Sequence, residues 1–237
     1  MRSRTLSLIF FSLFLSVFPS TGQTADPGKR LIIAFGDSLT AGLGVKREET
    51  YPSLLQRRLD RLGLPYRVVN AGVTAETTAG GVRRVDGIIR LKPEIVLLEL
   101  GANDGLRGLP LEETERNLRS IIAKLQAAGI RVVLMGMRLP PNYGADYTSG
   151  FERIFPRLGE EYRIPFVPFF LEGVAARQEV NQVDGIHPNA AGYRIIEENL
   201  WPILKPLLAH SPKQESGQSP RHAGHARPAA AVSPNSG

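Results

Sequence analysis

The chain contains no cysteine. That excludes disulfides, thiolate zinc sites, a cysteine nucleophile and a lipid anchored on cysteine. Aromatic residues make up only 7% of its 237 residues. Long apolar runs are scarce as well. The longest, residues 6–19 (LSLIFFSLFLSVFP), falls short of the ~20 residues that span a bilayer. The body also lacks an excess of one charge. The formal net charge is +6, but Arg2, Arg4, Lys213, Arg221 and Arg227 lie near the ends, and residues 26–210 carry 24 basic and 22 acidic side chains. That balance argues against nucleic acid as a partner. What is present, 42% hydrophobic residues with 24 Gly and 18 Pro, is ordinary globular composition. It fits one large domain or two small ones and excludes collagen-like, coiled-coil and wholly disordered chains.

The two ends differ from the body. Residues 1–4 are basic, residues 6–19 apolar, and residues 20–25 small and polar. This is the pattern of a secretory signal peptide over residues 1–25, cleaved between Gly22 and Ala25. An uncleaved membrane anchor is the competing reading. An exported chain without cysteine relies on its core alone. From Ser211 onward Pro, Ser, Gly and Ala dominate and apolar periodicity stops. Such a stretch cannot bury enough apolar area to offset its ordering entropy, so residues 211–237 read as a disordered tail. His222 and His225 within it read as solvated rather than metal-ligating.

Residues 26–210 alternate strand and helix patterns. Continuous apolar runs predict strands at 31–35, 67–70, 94–100, 131–136 and 165–168. Helical spacing predicts helices at 51–62, 78–91, 111–128, 151–162 and 190–208. Gly80 and Gly81 weaken the start of the second helix, and Pro202 and Pro206 bend or shorten the last. Alternation of this kind implies right-handed crossovers and a parallel sheet covered on both faces. Ligands then belong at the carboxyl ends of the strands.

Chemistry-bearing residues fall at those ends. Ser38 follows the first strand, where it suits either a nucleophile or a helix N-cap. Asp184 and His187 are three residues apart, a spacing that lets the carboxylate fix one ring nitrogen and free the other as a base. The alternative is an Asx-type turn beside a solvated histidine. Pro188 suits the first turn of the last helix. Outside the tail only His187 and His210 exist, and His210 sits where order fades, so a serine mechanism has one credible base. Asn103 follows the third strand and can donate to an oxyanion, or else shape a turn and cap a helix. The segment after Asn70 can offer a backbone N–H.

Gly36-Asp-Ser-Leu39, Asn70-Ala-Gly72, Gly101-Ala-Asn-Asp104 and Asp184-Gly-Ile-His187 together resemble the four spaced blocks of the SGNH (GDSL) hydrolase superfamily. The resemblance runs from about residue 31 to 208. The strings LLELGANDGLRGLP (97–110), MRLPPNYG (137–144) and DGIHPN (184–189) are similar to its bacterial periplasmic thioesterase I/lysophospholipase/arylesterase branch. This implies a three-layer α/β/α sandwich with a five-stranded parallel sheet of flavodoxin-like type. It implies Ser38 as nucleophile, His187 as base and Asp184 as its orienter. The oxyanion donors would be the Ser38 N–H, the Asn103 amide and a second-block N–H from Gly72 or Ala75. The branch usually has Gly at the position of Ala75; alanine keeps the N–H, which stays usable if the local φ is negative. Leu106, Leu109, Leu139 and Tyr143, with Ile186, resemble its acyl contacts, against core packing as the plainer reading. No metal or organic cofactor is implied.

The leading expectation is therefore an exported, monomeric serine hydrolase of acyl esters, thioesters or lysophospholipids, periplasmic or secreted and without stable membrane insertion. A carbohydrate O-acetylesterase is the alternative within enzymes, and a non-catalytic lipid- or glycan-binding module the alternative outside them.

Overall fold

Five apolar runs become strands: β1 (Arg30–Gly36), β2 (Tyr66–Asn70), β3 (Ile95–Glu99), β4 (Arg131–Met135) and β5 (Phe166–Val167). They form one parallel sheet in the order β2-β1-β3-β4-β5. All five residues of β3 are buried, as a central strand covered on both faces requires. The computed structural model describes residues 28–209. The signal peptide and tail expected at 1–25 and 211–237, with His210, His222 and His225, lie outside the described residues.

Seven α-helices connect the strands among the described residues. Two are short and sit at strand ends: α1 (Ser38–Ala41) and α4 (Ala102–Leu106). Of the longer five, α2 (Tyr51–Arg61) packs with α7 (Ala190–Ala209) in one layer, while α3 (Thr78–Arg90), α5 (Leu111–Ala127) and α6 (Ala145–Tyr162) pack in the other. The expected three-layer sandwich is the observed one. The chain leaves β1 for β2 on one side and reaches β3 on the other, so the sheet changes direction between β1 and β3. The crevice outside their carboxyl ends is where such sheets bind ligands.

Three local expectations need correction. α6 starts six residues before the expected 151, because its first residues, Ala145–Gly150, are exposed or half-buried and carry no apolar stripe. It also runs through Pro156. A proline removes one helical N–H and frees the carbonyl four residues earlier, and that carbonyl belongs to Glu152, on the exposed side. α7 likewise continues through Pro202 and Pro206 to Ala209 rather than shortening. The carbonyl freed by Pro202 belongs to exposed Glu198. Gly80 and Gly81 do not weaken α3 either. They let it approach its neighbours: a Cβ on Gly81 would lie 2.5 Å from Leu100 and 2.9 Å from Ile121.

β2 is an edge, and Gln56 of α2 closes it. Gln56 Nε2 donates to the Tyr66 carbonyl (3.1 Å) and Gln56 Oε1 accepts the Val68 N–H (2.6 Å). The side-chain amide thus stands in for a neighbouring strand and blunts the edge. At the opposite side, β4 and β5 approach most closely at Gly136. A Cβ there would lie 2.5 Å from the Pro168 carbonyl oxygen and 2.9 Å from that of Val167. Backbone cannot give way as a side-chain tip can. Gly136→Ala is therefore expected to lower stability by about 1–3 kcal/mol, read as a lower urea midpoint with an unchanged m-value.

Candidate active site

β1 ends at Gly36 and the chain turns through Asp37. Asp37 Oδ1 accepts the Leu39 N–H (2.9 Å), so Asp37 and not Ser38 caps α1. Ser38 becomes the first helical residue. Its N–H makes no hydrogen bond among the described residues, and its Oγ lies 3.0 Å from His187 Nε2.

The imidazole comes from a loop that is itself fastened. Asn181 and Pro188 form an antiparallel bridge, and the Gln182 N–H donates to the His187 carbonyl (2.8 Å). Inside it, Asp184 Oδ1 accepts the N–H groups of Ile186 (2.9 Å) and His187 (3.0 Å). Asp184 Oδ2 lies 2.7 Å from His187 Nδ1. The Asx-type turn and the carboxylate–imidazole pair are thus one arrangement, not alternatives. Those backbone donors, His187 first, hold the Asp184 carboxyl down at about 2. An ionised Asp184 can only accept, which assigns the proton to Nδ1 and leaves Nε2 as an acceptor facing Ser38. Pro188 is not in the first turn of α7. Asn189 takes the capping role there, its Oδ1 accepting from Ala191 (2.9 Å) and Gly192 (3.2 Å), so the helix starts two residues after the proline.

The expected oxyanion donors differ in what they are bonded to. Asn103, in α4, gives one amide hydrogen to Asp37 Oδ2 (2.9 Å) and keeps the second without a partner among the described residues. Gly72 and Ala75 part company. The Gly72 N–H is committed to Asn70 Oδ1 (2.9 Å), and a Cβ on Gly72 would lie 2.2 Å from the Ala41 nitrogen. The Ala75 N–H has no partner among the described residues. Its φ is +62°, so the negative φ set as the condition for its use does not hold; alanine instead adopts the positive-φ conformation that glycine takes readily, with its N–H still unpaired among the described residues. The cause is the turn closed by Glu76 N to the Val73 carbonyl (3.2 Å), which puts Ala75 where a type II turn needs positive φ.

The Ser38 turn, a fastened imidazole and free N–H donors thus share one sheet rim. The model of the GDSL-like lipase/acylhydrolase family matches residues 34–195. The chain belongs to that family. It is accordingly a hydrolase of carboxylic acyl bonds. Esterase TesA of Pseudomonas aeruginosa is 42% identical over 186 residues, 78% of this chain and 92% of that protein. Thioesterase 1/protease 1/lysophospholipase L1 of Escherichia coli is 37% identical over 199 residues, 84% of this chain and 92% of that one. A crystal structure of TesA superposes with a TM-score of 0.73 at 43% identity, covering 75% of this chain and 99% of that one.

In this family member the apolar residues expected at the acyl site fall into two groups. Leu139 packs against Gly105, where a Cβ would lie 2.7 Å from it, and against the core. Tyr143 Oη donates to the Leu106 carbonyl (2.9 Å), and Tyr147 Oη to that of Leu109 (2.7 Å). The first bond ties Tyr143 to Leu106 at the end of α4, and Leu139 lies beside Gly105 of the same helix. Ile186 stands apart on the histidine loop, 49% exposed.

Three residues of the site escape the sequence reading. Asp37 is completely buried and links Ser38 to Asn103. Glu99, also completely buried, lies against it. Asn70 donates to the Thr40 carbonyl (2.7 Å) and accepts from Gly72, tying α1 to the second-block loop. Left-handed φ costs a non-glycine residue about 1–2 kcal/mol, while glycine's extra unfolded-state freedom costs roughly 0.5–1 kcal/mol. Ala75→Gly is therefore expected to stabilise the chain by about 0.5–1 kcal/mol, read as a small rise in thermal midpoint. A fall would show that the Ala75 methyl packs favourably enough to outweigh its strain.

Proposed function

We propose that this chain is an exported serine hydrolase of acyl esters and thioesters, with arylesterase, acyl thioesterase and lysophospholipase chemistry. Residues 26–210 form its hydrolase domain and act as a monomer on small-molecule acyl substrates, without nucleic acid or stable membrane insertion. The observation that carries this reading is the continuous contact from Ser38 Oγ through both ring nitrogens of His187 to Asp184 Oδ2.

His187 Nε2 takes the Ser38 proton as Oγ attacks the acyl carbonyl carbon, and the carbonyl π pair moves onto oxygen. Ionised Asp184 stabilises the imidazolium. The oxyanion is met by the Ser38 N–H, the Ala75 N–H and the free Asn103 hydrogen. Such a donor contributes roughly 3–4 kcal/mol to the transition state. The tetrahedral species collapses, the acyl–oxygen or acyl–sulfur bond breaks, and His187 hands its proton to the leaving group. Water then attacks the acyl-enzyme by the same route. Leu106, Leu109, Leu139, Tyr143 and Ile186 offer apolar contact to the chain, at ~0.8 kcal/mol for each buried CH₂.

The basic and apolar leader supports export, and among the described residues no helix is long and apolar enough to cross a membrane. Acyl-CoA is a cytosolic metabolite, so an exported enzyme meets lysophospholipids or exogenous esters instead. The names of the relatives, esterase and thioesterase/lysophospholipase, fit the same bond types.

Ser38→Ala is expected to cut turnover of a chromogenic acyl ester by at least about 10³-fold while leaving the fold intact. A fluorophosphonate label is expected on Ser38. Near-normal turnover or labelling elsewhere would overturn the Ser38 assignment; a wild-type chain with neither turnover nor label would favour a binding module. Decanoyl esters are expected to be cleaved faster than acetyl esters; the reverse would favour a carbohydrate O-acetylesterase.

Asp184 is expected to set no acid limb in the pH–rate profile above about pH 2, because its carboxyl stays ionised down to about 2. Its folded-state value lies below the ordinary 3.8, so the stability it adds is present above that value and is lost as pH falls toward 2. A pH–rate profile on folded protein measures the first effect and acid unfolding of Asp184→Asn the second.

A further inference from the structure

Beneath Ser38 lies a second pair of carboxyl groups, which the acyl-transfer chemistry does not use directly. Asp37 and Glu99 are both 0% exposed. Asp37 Oδ1 accepts the Leu39 N–H and Oδ2 accepts the Asn103 amide. Glu99 Oε2 accepts the Thr40 hydroxyl (2.7 Å) and the Asp37 N–H (3.2 Å), while its Oε1 receives no donor among the described residues. The fold makes room for this pair: a Cβ on Gly36 would lie 2.4 Å from Glu99 Oε2.

The charges around the pair do not neutralise it. From α2, Tyr51 Oη lies 3.1 Å from Thr40 Oγ1, and from α7, Tyr193 Oη donates to the Leu39 carbonyl (2.9 Å). Both phenols are pushed up by burial and by the two carboxyls. His187 faces Asp37 from the catalytic loop. Neither lysine nor arginine hydrogen-bonds to either carboxyl among the described residues. Two buried carboxylates in contact cannot both ionise without a cation. Burial raises both, Asp37 to about 6 and Glu99 well above the ordinary glutamate range, and the Asp37 charge raises Glu99 further. Asp37 has donors on both oxygens and suits the anion. Glu99, with one oxygen lacking a donor, suits the neutral acid.

We propose that Glu99 is a positioning residue: a neutral acid, buried beside Asp37, that leaves Asp37 as the one anion of the pair, aiming the Asn103 amide and starting α1 at Ser38. This deepens the serine-hydrolase reading and rests on it. The Asn103 amide has two hydrogens. Fixing one on Asp37 Oδ2 fixes the direction of the other, the one available to an oxyanion. Loss of the Glu99 proton would put a second charge against Asp37 and strain both the cap and the Asn103 contact.

Two substitutions test the role. Glu99→Leu removes the proton donor and the acceptor for Thr40. It is expected to lower kcat by about 10–100-fold, part of the loss seen when an oxyanion donor is removed outright, with KM changed by less than about threefold. Glu99→Gln keeps both an acceptor oxygen and an N–H donor without charge, and is expected to recover most of that loss. A Glu99→Gln variant as impaired as Glu99→Leu, or a folded Glu99→Leu with unchanged kcat, would overturn the proposal. Should Glu99→Leu fail to fold, thermal stability of Glu99→Gln decides. The folded chain holds the Glu99 proton more tightly than the unfolded one, so wild-type stability falls as pH rises above the ordinary glutamate range. The midpoint of Glu99→Gln relative to wild type therefore climbs between about pH 5 and about pH 8, and a flat difference overturns the neutral-acid assignment. Ser38→Ala run alongside separates the two readings. If it is inactive and Glu99→Leu is unaffected, only the positioning role falls; if it is active, the catalytic assignment falls and takes the positioning role with it.

Discussion

A hydrogen bond of 3.0 Å joins Ser38 Oγ to His187 Nε2 across a sequence separation of 149 residues. Its net worth, on the order of 1 kcal/mol, cannot close such a loop, so the two groups must be brought together by packing that exists for other reasons. The pieces are visible. α7 lies against α2, and Tyr193 near its start donates to the Leu39 carbonyl inside α1. Gln182 reaches back to the Leu43 carbonyl (2.7 Å) and to Pro188 (3.0 Å). The histidine loop is therefore pinned to the serine turn on both sides of the reacting atoms. The parallel sheet contributes the rest, since every β-to-α turn of such a sheet emerges at the same rim.

The site treats its carboxyl groups in opposite ways. Asp184 is exposed and carries two backbone N–H donors, so it stays charged across the working range. Asp37 and Glu99 are sealed beneath the rim, where desolvation favours the proton. In the proposed mechanism, a permanent charge on the outside steadies the imidazolium that forms during attack. A pair limited to one charge on the inside places an acceptor for Asn103 without adding a second anion next to a developing oxyanion. Environment alone sorts the three acids, because their chemistry is the same.

Much of this was open to inspection before any coordinates. Apolar runs at 31–35, 94–100 and 131–136 have one outlet, a buried parallel strand, and the strand-end blocks fall where turns emerge. What escaped was set by tertiary context. The first turn of α6 has no stripe to read, and Pro156 and Pro202 are tolerated because the carbonyls they free face outward. Asp37 and Ser38 are both good caps, and only the Asn103 contact shows which one turns inward. Glu99 left a trace that went unread: a glutamate closing a strand that is buried along its whole length requires a partner. The positive φ of Ala75 left none, since alanine gives no hint of a conformation that glycine usually supplies.

That strained alanine is tolerated because its loop is held from three directions. Arg84 pairs with Glu76, donates through Nη1 and Nη2 to the Ala71 carbonyl (3.0 Å each) and stacks 4.8 Å from the Phe35 ring centroid. Arg107, just past Asn103, donates to the Ala75 carbonyl (2.9 Å). Asp104 accepts the Thr78 N–H (2.8 Å) and its hydroxyl (2.5 Å), fixing where the loop enters α3. One of these clamps starts from α4, the helix that carries Asn103, and another from Arg107 at its C-terminal cap. The backbone donor and the side-chain donor are thereby set relative to each other rather than to the sheet alone. An oxyanion site works only when its donors are fixed before charge develops; on the proposed assignment, the segment that supplies one donor also restrains the loop that supplies the other.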